Sequence, residues 1–263
     1  MSTSVYPAPP SGADSLLTEP HVLDNAAWAA LTGPQAHFAE RHGRAARFPA
    51  DVSPFTALED PDDVLAWDDL ALLVGPDAVT PVTAARTVPD GWHIEQSGEG
   101  VQMVATALRD EPAPDAVRLG PADVPEILEL IALTKPGPFL PRTVELGTYL
   151  GLREGGRLIA LAGERLRPPG WTEISAVCTH PDHRGRGLAT RLVRAVARGI
   201  RERGETPFLH AAANNTNAIR LYESIGFTLR RHTRFTLVRT PGRPSDPRLD
   251  DGQHRPELRE EKA

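Results

Sequence analysis

A single cysteine, Cys178, stands in a chain of 263 residues. It excludes an internal disulfide and leaves no cysteine cluster for a structural zinc. Lysine is almost as scarce, with only Lys135 and Lys262, so the positive charge is carried by arginine. Aromatic residues make up 5%, and no apolar run approaches the ~18–20 residues of a membrane span. The opening Met1–Pro10 has neither the basic region nor the apolar stretch of a signal peptide. Together these point to a cytoplasmic protein. The net charge of −6 argues against a dedicated nucleic-acid binder. What is present is ordinary: 40% hydrophobic and 24% charged residues, the balance of a folded globular chain.

Proline and charge divide the chain. Pro, Gly and Ser crowd residues 1–20, read as a lead-in, and residues 241–263 carry prolines and charges without aliphatic residues, read as a disordered tail. Residues 110–116, around Asp110-Glu-Pro-Ala-Pro-Asp115, have linker composition. They separate a smaller α+β domain at 21–109 from a second domain at 117–240. In the first, Asp24 caps a helix over 25–32, Gly33-Pro34 ends it, and a second helix is expected over 35–41. Strand-like runs at 70–74, 79–83, 92–96 and 101–107 suggest a small antiparallel sheet of its own.

The second domain reads α-α-β-β-β-α-β-α-β. Asp123 and Glu126 form a capping-box start, and Pro141-Arg-Thr143 opens a shorter helix. Glu154-Gly-Gly156 signals a hairpin between strands at 151–153 and 157–165, and Pro168-Pro-Gly170 turns the chain into a strand over 171–179. Leu188, Leu192, Val196 and Ile200 make one stripe of a helix over 188–203, with Arg191, Arg194, Arg198 and Arg201 opposite as a solvated face. A strand at 208–212, a helix at 217–224 stopped by Gly226, and a strand at 227–238 complete it.

Between the strand at 171–179 and the long helix lies His180-Pro-Asp-His-Arg-Gly-Arg-Gly-Leu-Ala-Thr190. A strand, a glycine-rich turn and a helix N-terminus make an anion site, because bare amides and the helix dipole converge on one spot. The turn is neither a Walker A loop nor a full dinucleotide fingerprint. His180 and His183 do not suggest a metal pair, since Pro181 prevents presentation on one helical face and no other ligand cluster is near.

These residues resemble the GNAT superfamily of acetyl-CoA-dependent N-acetyltransferases. Arg184-x-x-Gly187-x-Ala189 matches its Arg/Gln-x-x-Gly-x-Gly/Ala motif, and Asn215-Thr-Asn-Ala-Ile-Arg-Leu-Tyr222-Glu-Ser-Ile-Gly226-Phe227 is similar to its downstream signature. The resemblance covers about Val117–Arg239. It implies an α+β, three-layer fold with a mixed, mostly antiparallel twisted sheet flanked by helices. It implies acetyl-CoA as cosubstrate and no metal. Backbone groups of Val177, Cys178 and Thr179 would hold the pantetheine and polarise the thioester, amides around Arg184, Gly185, Arg186, Gly187, Leu188, Ala189 and Thr190 would take the pyrophosphate, and Asn215 would lie near the sulfur.

Transfer to an amine needs a base and benefits from an acid. Tyr222 is the expected acid. Glu173 is the first candidate for base and His210 its competitor. Strand alternation puts Glu173, Ser175, Val177 and Thr179 on one face and turns Cys178 away as a small buried hydrophobe. The segment Pro136–Pro141 is either a rigid surface loop or a wall of the acceptor site. The first domain is either an accessory domain or a degenerate copy of the same fold, shaping the acceptor pocket or a homodimer interface. The acceptor is a small-molecule or peptide amine, and neither nucleic acid nor membrane is expected as a partner. A CoA-binding sensor without transfer is the alternative.

Overall fold

The computed structural model describes residues 21–85 and 87–242, so the lead-in and nearly all of the tail lie outside the described residues. The first half contributes α1 (Ala26–Leu31), β1 (Glu40–His42), β2 (Ala45–Arg47), β3 (Thr56–Leu58), α2 (Val64–Val74), β4 (Val79–Thr83) and β5 (His93–Ala105). The second contributes β6 (Val117–Leu119), α3 (Val124–Thr134), β7 (Tyr149–Glu154), β8 (Arg157–Glu164), β9 (Trp171–Thr179), α4 (Leu188–Glu202), β10 (Thr206–Ala212), α5 (Thr216–Ile225) and β11 (Phe227–Arg239). No helix among the described residues is long and apolar enough to cross a membrane.

All eleven strands join one mixed sheet in the order β1-β2-β3-β4-β11-β5-β10-β9-β8-β7-β6. Each half runs through an antiparallel meander, then a helix, then a strand parallel to the last meander strand: β3 with β4 across α2, and β9 with β10 across α4. The last strand of each half is exchanged. β5 pairs with β10, β11 pairs with β4, and the two long strands pair with each other along the centre.

The separate small sheet expected for residues 21–109 is therefore corrected. The runs at 92–96 and 101–107 belong to one 13-residue strand, β5, embedded among strands of the second half. Its burial changes from exposed to buried at Gly100, which is why the sequence read as two pieces. Two further expectations are revised. The run at 70–74 is the end of α2, whose Asp63 cap and buried Ala66, Trp67 and Leu70 have helical spacing. The helix expected at 35–41 is one 3-10 turn followed by β1, because Gln35 is buried and its amide donates to Arg165 O at 2.7 Å and accepts from Arg167 N at 3.1 Å.

The linker is strapped to the face of α4 expected to be solvated. Arg201 pairs with Asp110 at 3.0 Å, Arg194 with Glu111 at 2.7 Å, and Arg191 with Asp115. At the end of α5, Gly226 has φ 105°, and a Cβ there would lie 2.4 Å from the Ala107 backbone. That approach requires glycine.

Candidate active site

The site opens where two parallel strands part. β9 and β10 are in register only from Trp171–Thr206 to Glu173–Phe208, and beyond Glu173 they diverge. On its other edge β9 stays paired with β8, and His180 N donates to Ile159 O at 2.8 Å. Alternation therefore turns the neighbouring Thr179 amide into the opening.

β9 carries one extra residue opposite Leu161–Gly163, with Ala176 at φ 54°. The bulge breaks the alternation assumed from sequence. Ile174 packs in the cluster under α4, whereas Cys178, an even number of residues on, packs in the cluster under α3. Cys178 is thus not turned from Glu173's face as expected, although it is a buried hydrophobe. Burial pushes its thiol up to about 11.

Past β9, Gly187 caps the N-terminus of α4 at φ 70° without any side-chain acceptor. Amides 185–190 donate to no acceptor among the described residues. The equivalent turn of the first half is built oppositely. There Asp63 accepts from Leu65 N at 3.0 Å and Asp60 from Asp62 N at 2.9 Å, so carboxylates occupy the helix end where an anion would bind. The α4 terminus thus leaves its amides open, as anion sites at helix ends require, and the α2 terminus does not. Gly187→Asp should keep the fold, since aspartate is a good cap and tolerates this region of φ, and should weaken CoA binding by at least ~10²-fold. Calorimetric titration with CoA checks it.

The arginines and histidines of the turn are partly engaged. Arg186 forks Glu154 at 2.9 and 3.3 Å, His183 also reaches Glu154 at 3.1 Å, and Arg184 is exposed. No group of three or more metal-ligating side chains occurs among the described residues. Leu188 is buried in the α4 cluster, so only its backbone faces the turn. Asn215 is exposed and caps α5, its Oδ1 accepting from Ala218 N at 3.2 Å. Tyr222 is buried against Phe227 with ring centroids 5.8 Å apart, and desolvation pushes its phenol up to about 12, with the Cys178 thiol adding to the shift.

Glu173 has no exposed surface. Arg165 forks it with bonds of 2.8 and 2.6 Å, and His210 Nδ1 donates to its Oε1 at 2.7 Å. Burial opposes its ionisation, but the Arg165 guanidinium outweighs burial and holds the carboxyl well below the usual carboxylate range. His210 sits where the strands begin to part and lines a cavity of about 450 Å³. The cavity is walled by both halves: Leu23, Ala26 and Phe55 from one, Arg165, His210 and Phe235 from the other. Sequence reading missed Arg165, Gln102 and Arg230 around this pair, and nothing local marks them. The loop at 136–141 is not part of the cavity wall, because Phe139 is buried against Tyr149 with centroids 5.4 Å apart.

Comparison with known proteins accords with this geometry. Residues 149–236 match the family described as FR47-like protein. The chain is 34% identical over 110 residues to the N-alpha-acetyltransferase RimI of Mycobacterium tuberculosis, covering 37% of this chain and 68% of that protein. A GNAT-family acetyltransferase structure from Novosphingobium aromaticivorans is 40% identical with a TM-score of 0.76, over 83% of this chain and 98% of that one. The chain belongs to the GNAT superfamily of acetyltransferases. An uncharacterized Mycobacterium leprae protein is 30% identical over 213 residues, and this chain spans 55% of its length. The similarity therefore extends well beyond the GNAT motifs. This GNAT chain is an acyltransferase, and its mixed sheet with flanking helices is the one the resemblance implied.

Proposed function

We propose that this acetyltransferase moves an acetyl group from acetyl-CoA directly to an amine in a ternary complex, with Tyr222 as acid and His210 as base. The observation that carries the reading is the glycine-capped end of α4, its amides uncapped beside the parting of β9 and β10. Amides 185–190 would hold the diphosphate, and the Thr179 amide would face the pantetheine arm. Bound acetyl-CoA supplies the activated acyl group as a thioester.

The chain's own groups divide the proton work. Glu173 is sealed from solvent and held ionised, so its part is to accept from Nδ1 of His210 and leave Nε2 as the basic atom facing the cavity. Tyr222 keeps its proton at neutral pH and has one to give to the departing thiolate. Direct transfer is favoured over an acyl-enzyme because Cys178 is buried and its thiol is pushed up, which leaves no reactive thiolate. The repeated meander, helix and parallel strand support reading the first half as a degenerate copy of the domain whose helix end has lost anion binding and whose surface now walls the acceptor cavity.

The test is free-thiol release from acetyl-CoA across a panel of small amines and peptides. Amine-dependent release is expected, and Tyr222→Phe should lower kcat at least ~10-fold with little change in KM for acetyl-CoA. CoA binding without release for any amine would favour the sensor reading.

A further inference from the structure

The exchanged strand β5 brings one polar side chain of the first half against His210. Gln102 is 1% exposed. Its amide nitrogen donates to Leu23 O at 2.9 Å, and its oxygen accepts from Arg230 at 2.7 Å. Arg230 is the bulged residue of β11 and donates in turn to Asp24 at 2.7 Å. A guanidinium only donates and a carbonyl only accepts, so these two contacts fix which end of the amide is nitrogen. The second N–H of Gln102 is then left facing His210 Nε2, 3.1 Å away. Two N–H groups do not face each other at that distance, so Nε2 presents its lone pair.

We propose that Gln102 is a positioning residue that keeps Nε2 of His210 unprotonated, the form in which it takes a proton from the acceptor amine. This rests on the reading of His210 as base. The charged groups around the ring are themselves paired. Arg165 forks the Glu173 carboxylate that accepts from Nδ1, while Arg230, Arg231 and Asp24 form a chain behind Gln102 that holds its orientation. The Gln102 contact is between neutral partners, so an incoming amine can replace it at Nε2. The first half thus contributes to the chemistry as well as to the cavity wall.

The test uses the full chain with 15N-labelled histidine, His210 being assigned by its loss in His210→Ala. At neutral pH the ring is expected to carry its proton on Nδ1 and to show the shift of an unprotonated Nε2. A protonated Nε2 in the wild-type spectrum overturns the proposal without any Gln102 variant. Gln102→Glu places an acceptor against Nε2. It should protonate that atom, move the acidic limb of the kcat/KM profile to higher pH and lower kcat/KM at neutral pH by at least ~10-fold, with CoA affinity unchanged. A Gln102→Glu protein with the wild-type spectrum and profile overturns it as well. Wild-type turnover in His210→Ala, with Nε2 unprotonated in the parent, overturns the base assignment while leaving Gln102's effect on the ring intact.

Discussion

Glu173→Ala should destabilise the fold by about 3–5 kcal/mol, because it leaves the Arg165 guanidinium buried without its carboxylate. That is a large share of the ~5–15 kcal/mol by which domains are stable. Arg165 also lies 4.8 Å over the Phe55 ring, a contact too weak to replace a forked ion pair. Urea denaturation measures the loss, and the double variant Glu173→Ala, Arg165→Met should recover much of it, since removing both charges leaves neither stranded. A single variant as stable as the parent would show that the ion pair does not hold the fold. The sign of the pH dependence follows from the depressed carboxyl. Its folded-state value lies below its unfolded one, so the stabilisation is complete above about 4.5 and is lost as the pH falls through the folded-state value. The stability difference between parent and Glu173→Gln should therefore shrink below pH ~4.5 and be constant above it.

His210→Ala should have the opposite signature. Glu173 keeps both bonds to Arg165 in that variant, so folding is largely retained. Turnover should fall by ~10²–10⁴-fold, the usual contribution of a positioned base, and the acidic limb of the kcat profile should disappear. Steady-state kinetics with acetyl-CoA and the best amine of the panel measure both. Turnover within a few-fold of the parent would place the base elsewhere in the cavity. The two variants thus separate a group that holds the architecture from one proposed to move the proton, which sequence alone left as competitors for one role.

How far the site was legible depends on the range of the interactions that build it. The strand at Trp171–Thr179 and the helix beginning at Leu188 were bounded almost to the residue, because alternation, a glycine-rich turn and an amphipathic stripe are local signals. Gly187, Ala189 and the Asn215–Phe227 segment were readable for the same reason: a bare helix end and its capping chemistry lie within a dozen consecutive residues. The bulge at Ala176 was not readable, since nothing in the sequence marks a positive φ at alanine, and it moved Cys178 to the other face.

By itself, the sequence determined which groups are at hand: a glycine-rich turn ahead of a helix, a tyrosine, a carboxylate, an imidazole and one cysteine. Only the tertiary structure decided which of them meet. It sealed Glu173 against Arg165, left His210 facing the cavity, and drew Gln102 across from the other half by exchanging β5 for β11. Those decisions rest on pairings between residues from 8 to 128 positions apart. Short-range pattern records which groups a chain owns, whereas burial and the partner each group meets are set when distant strands come together.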